Sequence, residues 1–100
     1  MAISVLWSDE AKKTYADNIE YLKTTWTEKE LKKFILRSEY VILNIEDNPK
    51  LYSFSSKSKK TRRAIINKQV TLYYRFYPIK KMVVLLSFWN NYRDYKQLKY

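Results

Sequence analysis

The apolar residues of this chain change period once, and that change constrains the fold more than any other feature. Between residues 9 and 48 they recur at spacings of three and four; beyond residue 61 they alternate or run together. The first spacing lines one face of a helix and the second belongs to strands. Ala11, Tyr15, Ile19, Leu22 and Trp26 make one helical face. Ser8 stands before them as an N-cap, with Asp9 and Glu10 in the first turn, where acids favour the helix dipole. A second helix opens at "TEKE", with Thr27 as cap and Glu30 three residues on, a capping box. Its apolar set is Leu31, Phe34, Ile35, Val41, Ile42 and Ile45. Asn48-Pro49 ends it, because the residue before a proline is pushed out of the helical region. A connection of two or three residues between the helices predicts an antiparallel hairpin.

The remaining segments read as strands. "ISVLW" (3–7) is a short β-branched and aromatic run. "YSFSSKSKKT" (52–61) reads as a polar loop, "RRAIIN" (62–67) as a strand and "KQ" as a turn. "VTLYYRFY" (70–77) is a strand with Val70, Leu72, Tyr74 and Phe76 on one side. Thr71, Tyr73, Arg75 and Tyr77 take the other side, and Pro78 closes it with "PIKK" as the turn. "MVVLLSFW" (82–89) is almost continuously apolar, as a central strand should be. The chain has no glycine, so left-handed turn positions are expected at Asn67, Asn90 and Asn91.

The order β-α-α-β-β-β predicts a two-layer α+β fold over residues 1–100, one domain, with the helical hairpin on an antiparallel β-meander. The first strand is expected beside the last or next to it. Trp7, Tyr15, Ile19, Leu22, Phe34, Ile42, Leu72, Tyr74, Val84 and Leu86 are the expected core. In the closing stretch "SFWNNYRDYKQLKY", "SF" is expected to seal that core and the rest to be exposed.

Two absences narrow the chemistry. With no histidine and no cysteine there is no zinc site of the usual kind, no thiol nucleophile and no imidazole acid–base. Without glycine there is no phosphate-cradling glycine loop. No cofactor or metal is expected. The longest apolar run, Met82 to Leu86, is far short of the ~20 residues that span a bilayer. Asp9 and Glu10 interrupt the N-terminus, so no signal peptide is expected, and the cytoplasm is the expected location.

Charge is distributed unevenly. Residues 1–48 carry seven Lys/Arg against nine Asp/Glu, a net of −2; residues 49–100 carry thirteen against one, a net of +12, which together give +10. A cationic half of this kind suits a polyanionic partner, either nucleic acid or an acidic protein segment.

Several stretches resemble a known family. "WSDEAKKTYADNIEYL", "WTEKELKKFI" and "NIEDNPKLY" resemble the N-terminal half of RelE/ParE-family toxins of bacterial type II toxin–antitoxin systems. "RRAIINKQVTLYYRFY" and "SFWNNYRDYKQL" resemble their meander and closing motif. The resemblance implies a small basic toxin, neutralised by an antitoxin with an acidic or amphipathic segment. It also implies one of two targets, the ribosome with its mRNA, cleaved by RelE-like endonucleases, or DNA gyrase, inhibited by ParE-like members.

For a nuclease, the resemblance nominates Arg62, Arg75, Tyr92 and Arg93. The key Arg of the family's middle strand aligns with Thr71, and Tyr92 holds the place of its closing Arg, with Arg93 beside it. Cations would stabilise the transition state, and Tyr92 or Tyr95 would have to serve as acid–base with a lowered pKa. For target or antitoxin binding the candidates are Arg62, Arg63, Lys68, Arg75, Tyr92, Arg93 and Lys96. Lys57, Lys59 and Lys60 read as solvated loop charges, and Tyr73, Tyr74 and Trp89 as core or sheet cover. Binding needs no catalytic geometry, so the sequence favours gyrase-like inhibition over cleavage. A non-toxic, basic nucleic-acid-binding module is the third reading.

Overall fold

A computed structural model describes residues 3–25, 27–93 and 95–100. Ser8 caps the first helix, as its side chain requires: Oγ accepts the Ala11 N–H at 3.0 Å and donates to the Leu86 carbonyl at 3.0 Å. This hydroxyl thus joins strand β1 (Ser4–Trp7) and helix α1 (Asp9–Thr25) to the last strand. Trp26 lies outside the described residues. Thr27 caps α2 (Glu28–Asp47), accepting the Glu30 N–H at 3.3 Å, and Asn48 closes it.

The chain then forms β2 (Phe54–Ser55), β3 (Ser58–Ile65), β4 (Val70–Tyr77) and β5 (Met82–Asn90), followed by a single 3-10 turn at Tyr95–Gln97. The sheet order is β1-β5-β4-β3-β2. The β2–β3, β3–β4 and β4–β5 pairs are antiparallel, whereas β1 runs parallel to β5. The expected α+β architecture is the one observed.

Both helices cover one face of the sheet. Leu22, Phe34, Val41 and Ile45 meet Ala64, Leu72, Tyr74, Val83, Leu85 and Phe88 in the main core. Tyr15 bridges the layers, 5.6 Å from the Phe34 ring and 4.9 Å from Phe88 between centroids. Tyr74 is fully buried, and its hydroxyl donates to the Pro49 carbonyl at 2.9 Å. That bond fastens the end of the α2 segment to the sheet.

Four expectations need correction. Residues 52–61 are not a loop: β2 pairs with β3, which begins at Ser58. Lys59 and Lys60 are exposed while Thr61 is fully buried; the edge strand is the two-residue β2, and a short edge with lysines beside it discourages edge-to-edge association. On β5 the phase is shifted by one: Val83 and Leu85 face the core, and Val84 is half-buried. Leu86 belongs to a second cluster on the opposite face, with Tyr73, Trp89 and Leu98. A register shift between Tyr73 and Tyr74 re-phases the pairing, and a continuous apolar run offers no polar residue to mark the inward face.

The turn geometry also differs. Left-handed backbone falls on Lys81 (φ 51°), and on none of the three asparagines. Two of these use their side chains instead: Asn67 Oδ1 accepts the N–H groups of Gln69 and Val70, and Asn90 Oδ1 accepts that of Tyr92. Such Asx-turns satisfy the bend without a positive φ. Last, the tail is not wholly exposed. Leu98 is buried, and Tyr100 packs 6.1 Å from the Tyr73 ring. The tail crosses the sheet face opposite the helices as a strap.

Candidate functional site

Three adjacent segments build a groove on the strap side of the sheet. The pairing sets Arg63 abreast of Tyr73, and Thr71 abreast of Trp89. The chain leaving β5 then returns over the turn between β3 and β4. Asn91 holds it there: its backbone N–H donates to the Gln69 carbonyl, its amide to the Lys68 carbonyl, and its Oδ1 accepts from Thr71 Oγ1 at 2.9 Å. Arg93 follows, with its guanidinium 4.5 Å above the Trp89 ring. The cavity so formed measures about 720 Å³, with Arg63, Lys68 and Arg93 on its walls and Tyr73 and Trp89 as its floor.

The groove is cationic. Arg37 of α2 reaches in as a fourth cation, fixed by a 3.3 Å bond from Nε to the Ile66 carbonyl, and no carboxylate lines it among the described residues. The ion pairs seen among the described residues, Lys13–Asp17 and Lys23–Glu20, lie on α1, away from it. Burial, and secondarily the neighbouring Tyr95, push the Tyr73 phenol above its ordinary value of 10.0 despite the opposing pull of Arg63. Tyr73 is therefore a hydrogen-bond donor at neutral pH and not a base.

The strap is tied down beside this groove. Lys57 Nζ donates to the carbonyls of Tyr95 (2.8 Å) and Leu98 (2.6 Å), and the ammonium lies 4.4 Å from the Tyr95 ring centre. Ser55 Oγ donates to the Tyr100 carbonyl, and the Tyr100 hydroxyl donates to Glu10 Oε1 at 3.0 Å. Burial, then the hydrogen bond to Glu10, push the Tyr100 phenol up to about 12.

The sequence candidates fall into separate places. Arg63, Lys68 and Arg93 share the central groove. Tyr92 turns to a neighbouring, largely apolar groove of about 780 Å³ along α2, beside Leu36 and Tyr40; Lys68 and Arg37 line both. Arg62 and Arg75 line a third groove at the other end of β4. Lys96 is exposed on the 3-10 turn. The four residues nominated for cleavage are thus distributed over three grooves.

Sequence reasoning missed Arg37, Asn91 and Lys57. Arg37 reads as one more polar helix residue, and nothing local signals that it reaches the sheet. Lys57 reads as a solvated loop charge, because its partners are 38 and 41 residues away. Among the described residues no group of His, Cys, Asp and Glu could hold a metal, and no helix is long and apolar enough to cross a membrane.

No protein-family model matches the chain, and no curated protein matches it in sequence. Solved structures do match. A YoeB/ParE toxin from Agrobacterium tumefaciens superposes with a TM-score of 0.64 at 12% identity, covering 90% of this chain and 100% of that one. The YoeB dimer from Staphylococcus aureus gives 0.61 at 16% identity, over 90% and 98% of the two chains. A heterotetrameric YoeB–YefM toxin–antitoxin complex from the same organism gives 0.59 at 16%, with the same coverage. This chain has the YoeB/ParE toxin fold. In this chain the cationic groove is formed by the meander and the segment that follows it, with Arg37 reaching in from α2.

Proposed function

We propose that this protein is the toxin of a type II toxin–antitoxin pair, and that it acts by binding its target through the central groove, as a gyrase-type inhibitor would. The observation that carries this reading is the convergence of Arg63, Lys68 and Arg93 over the Tyr73–Trp89 floor with no carboxylate among the described lining residues. The fold shared with YoeB/ParE toxins supports the toxin assignment, and the YoeB–YefM complex supports a protein antitoxin as partner. The antitoxin would lay an acidic segment along the groove, cover Arg63 and Arg93, and place apolar residues against Leu36 and Tyr40.

Binding is favoured over cleavage for two reasons. Arg62, Arg75, Tyr92 and Arg93 do not line one groove, whereas cleavage needs its donors around one phosphate. The chain also holds no histidine, and the Tyr73 phenol in the groove is shifted away from base chemistry.

The test sets in vitro translation with purified ribosomes beside a gyrase supercoiling assay. Inhibited supercoiling with intact mRNA is expected. Codon-specific mRNA cleavage abolished by Arg93→Ala, with supercoiling untouched, would replace this reading with the endonuclease. Binding to free nucleic acid without growth arrest on induction would replace it with the simple basic module.

A further inference from the structure

Helix α2 has an apolar stripe that the core does not use. Leu31, Phe34, Ser38, Val41 and Ile45 form its inward face, at spacings of three and four. Leu36, Tyr40 and Leu43 each stand two residues beyond a member of that set. Two residues turn a helix by about 200°, so this second stripe lies on the opposite side. It is open to solvent: Leu36 is 65% exposed, Tyr40 56% and Leu43 62%. A helix that only covers a core keeps its outer face polar, whereas a contiguous apolar stripe there marks an interaction surface.

The two ends of the stripe differ in charge. Lys33 stands two residues beyond Leu31, and Asp47 two beyond Ile45. The outer line therefore reads Lys33, Leu36, Tyr40, Leu43, Asp47, all exposed: a cation, three apolar residues and an anion. Exposed Lys29 and Lys32 reinforce the first end and Glu46 the second, and none of these five charges forms an ion pair among the described residues. Glu46 and Asp47 also sit in the last turn, where the helix dipole disfavours acids. Cations from a partner would offset that cost.

Such a line is complementary to itself when reversed. In an antiparallel pair about a twofold axis at Tyr40, Lys33 meets Asp47, Leu36 meets Leu43 and Tyr40 meets its own copy, an isologous contact. Net charge permits the pairing. Helix α2 carries four Lys/Arg against five Asp/Glu, while residues 49–100 hold the excess of cations. Two copies thus meet through nearly neutral surfaces, whereas their meander faces would repel.

We infer that a second copy of this chain covers the outer stripe of α2, in an antiparallel helix pair with Leu36, Tyr40 and Leu43 at its centre and Lys33–Asp47 at each end. The change of sign along the stripe selects a second copy over a partner of one charge. The inference does not rest on the toxin reading. Leu36 and Tyr40 also border the groove given above to the antitoxin, so the dimer belongs to the chain without that partner. The stripe is smaller than the about 20–30 residues a side of a standard interface, so the dimer is weak, with a Kd on the order of 10 µM.

Sedimentation velocity of the full chain alone tests it, over about 2 to 200 µM, a range that brackets that constant. Leu43→Glu should weaken association about ten-fold or more, because it sets a charge against apolar Leu36. Lys33→Glu and Asp47→Lys should each weaken it about five-fold by placing like charges face to face. Combined in one chain, the two should restore the wild-type constant to within about two-fold, since each end again joins opposite charges. Ile79→Glu replaces an isoleucine that is 98% exposed on the turn after β4, and should change the constant less than about two-fold. Urea melts report whether each variant is folded. The inference is overturned if the wild type stays monomeric at the highest concentration, or if folded Leu43→Glu associates as the wild type does. Failure of the combined variant to recover what the single variants lose would overturn it too, as would a dimer that Ile79→Glu dissociates.

Discussion

The Arg93 guanidinium rests 4.5 Å above the Trp89 ring, with its charge toward the groove. An exposed cation–π contact contributes about 0.5–1 kcal/mol, so Arg93→Ala should lower stability by no more than that while abolishing growth arrest. A urea midpoint and an induced-growth curve read the two effects separately, and a toxic, folded variant would remove Arg93 from the target surface. The tyrosines give a pH prediction. Burial pushes the Tyr74 phenol up to about 12, and burial with the Glu10 hydrogen bond does the same for Tyr100. Between pH 10 and 12 the folded state keeps protons that the unfolded chain loses, so stability is complete below pH 10 and falls as pH rises through that window. Urea melts from pH 9 to 12 should show this decline, and Tyr74→Phe should flatten it. At pH 9 the same substitution should cost about 1 kcal/mol, since the Pro49 carbonyl loses its donor.

At the scale of elements, the two helix caps are not equivalent. Ser8 Oγ caps α1 and also reaches the Leu86 carbonyl across 78 residues, whereas Thr27 Oγ1 makes one exposed bond at 3.3 Å. Ser8→Ala should therefore cost about 1–2 kcal/mol and Thr27→Ala about 0.5 kcal/mol in urea denaturation. Equal losses would mean that the link to β5 contributes nothing. The strap depends on Lys57, whose ammonium donates to two of its carbonyls. Lys57→Met keeps the apolar stem and removes both bonds. Hydrogen exchange at the Leu98 amide, bonded to the Tyr95 carbonyl, should accelerate about ten-fold, with β4 amides unchanged, because local opening leaves the sheet intact. Acceleration spread evenly over β4 would show that the strap and the sheet unfold together.

For the whole molecule the controlling quantity is its charge, a net of +10 concentrated in the second half of the chain. Steering by such a field raises the on-rate of an acidic partner and is screened over a Debye length of about 8–10 Å near physiological salt. The on-rate of the proposed antitoxin, followed by stopped flow, should drop about ten-fold or more between roughly 50 and 500 mM salt, with a smaller change in the off-rate. A salt-insensitive on-rate would leave the apolar groove along α2 as the main recognition surface.

What the sequence determined was local. Both helices, the Ser8 and Thr27 caps, the stop at Asn48-Pro49 and the span of β4 follow from periodicity and side-chain hydrogen bonding within a few residues. The charge asymmetry was equally legible, because it needs only counting. Tertiary structure decided whatever depends on distant partners. The inward face of β5 was set by a register shift against β4, which a uniformly apolar run does not encode. The polar stretch around Lys59 became a strand because it pairs with β2 and continues into the part of β3 that pairs with β4, and Lys57 became a tether because the chain end returned to it. The candidate cations divided in the same way. Arg62 and Arg63 are adjacent in sequence, but successive residues of a strand point to opposite faces, so one lines the groove at the far end of β4 and the other lines the central groove.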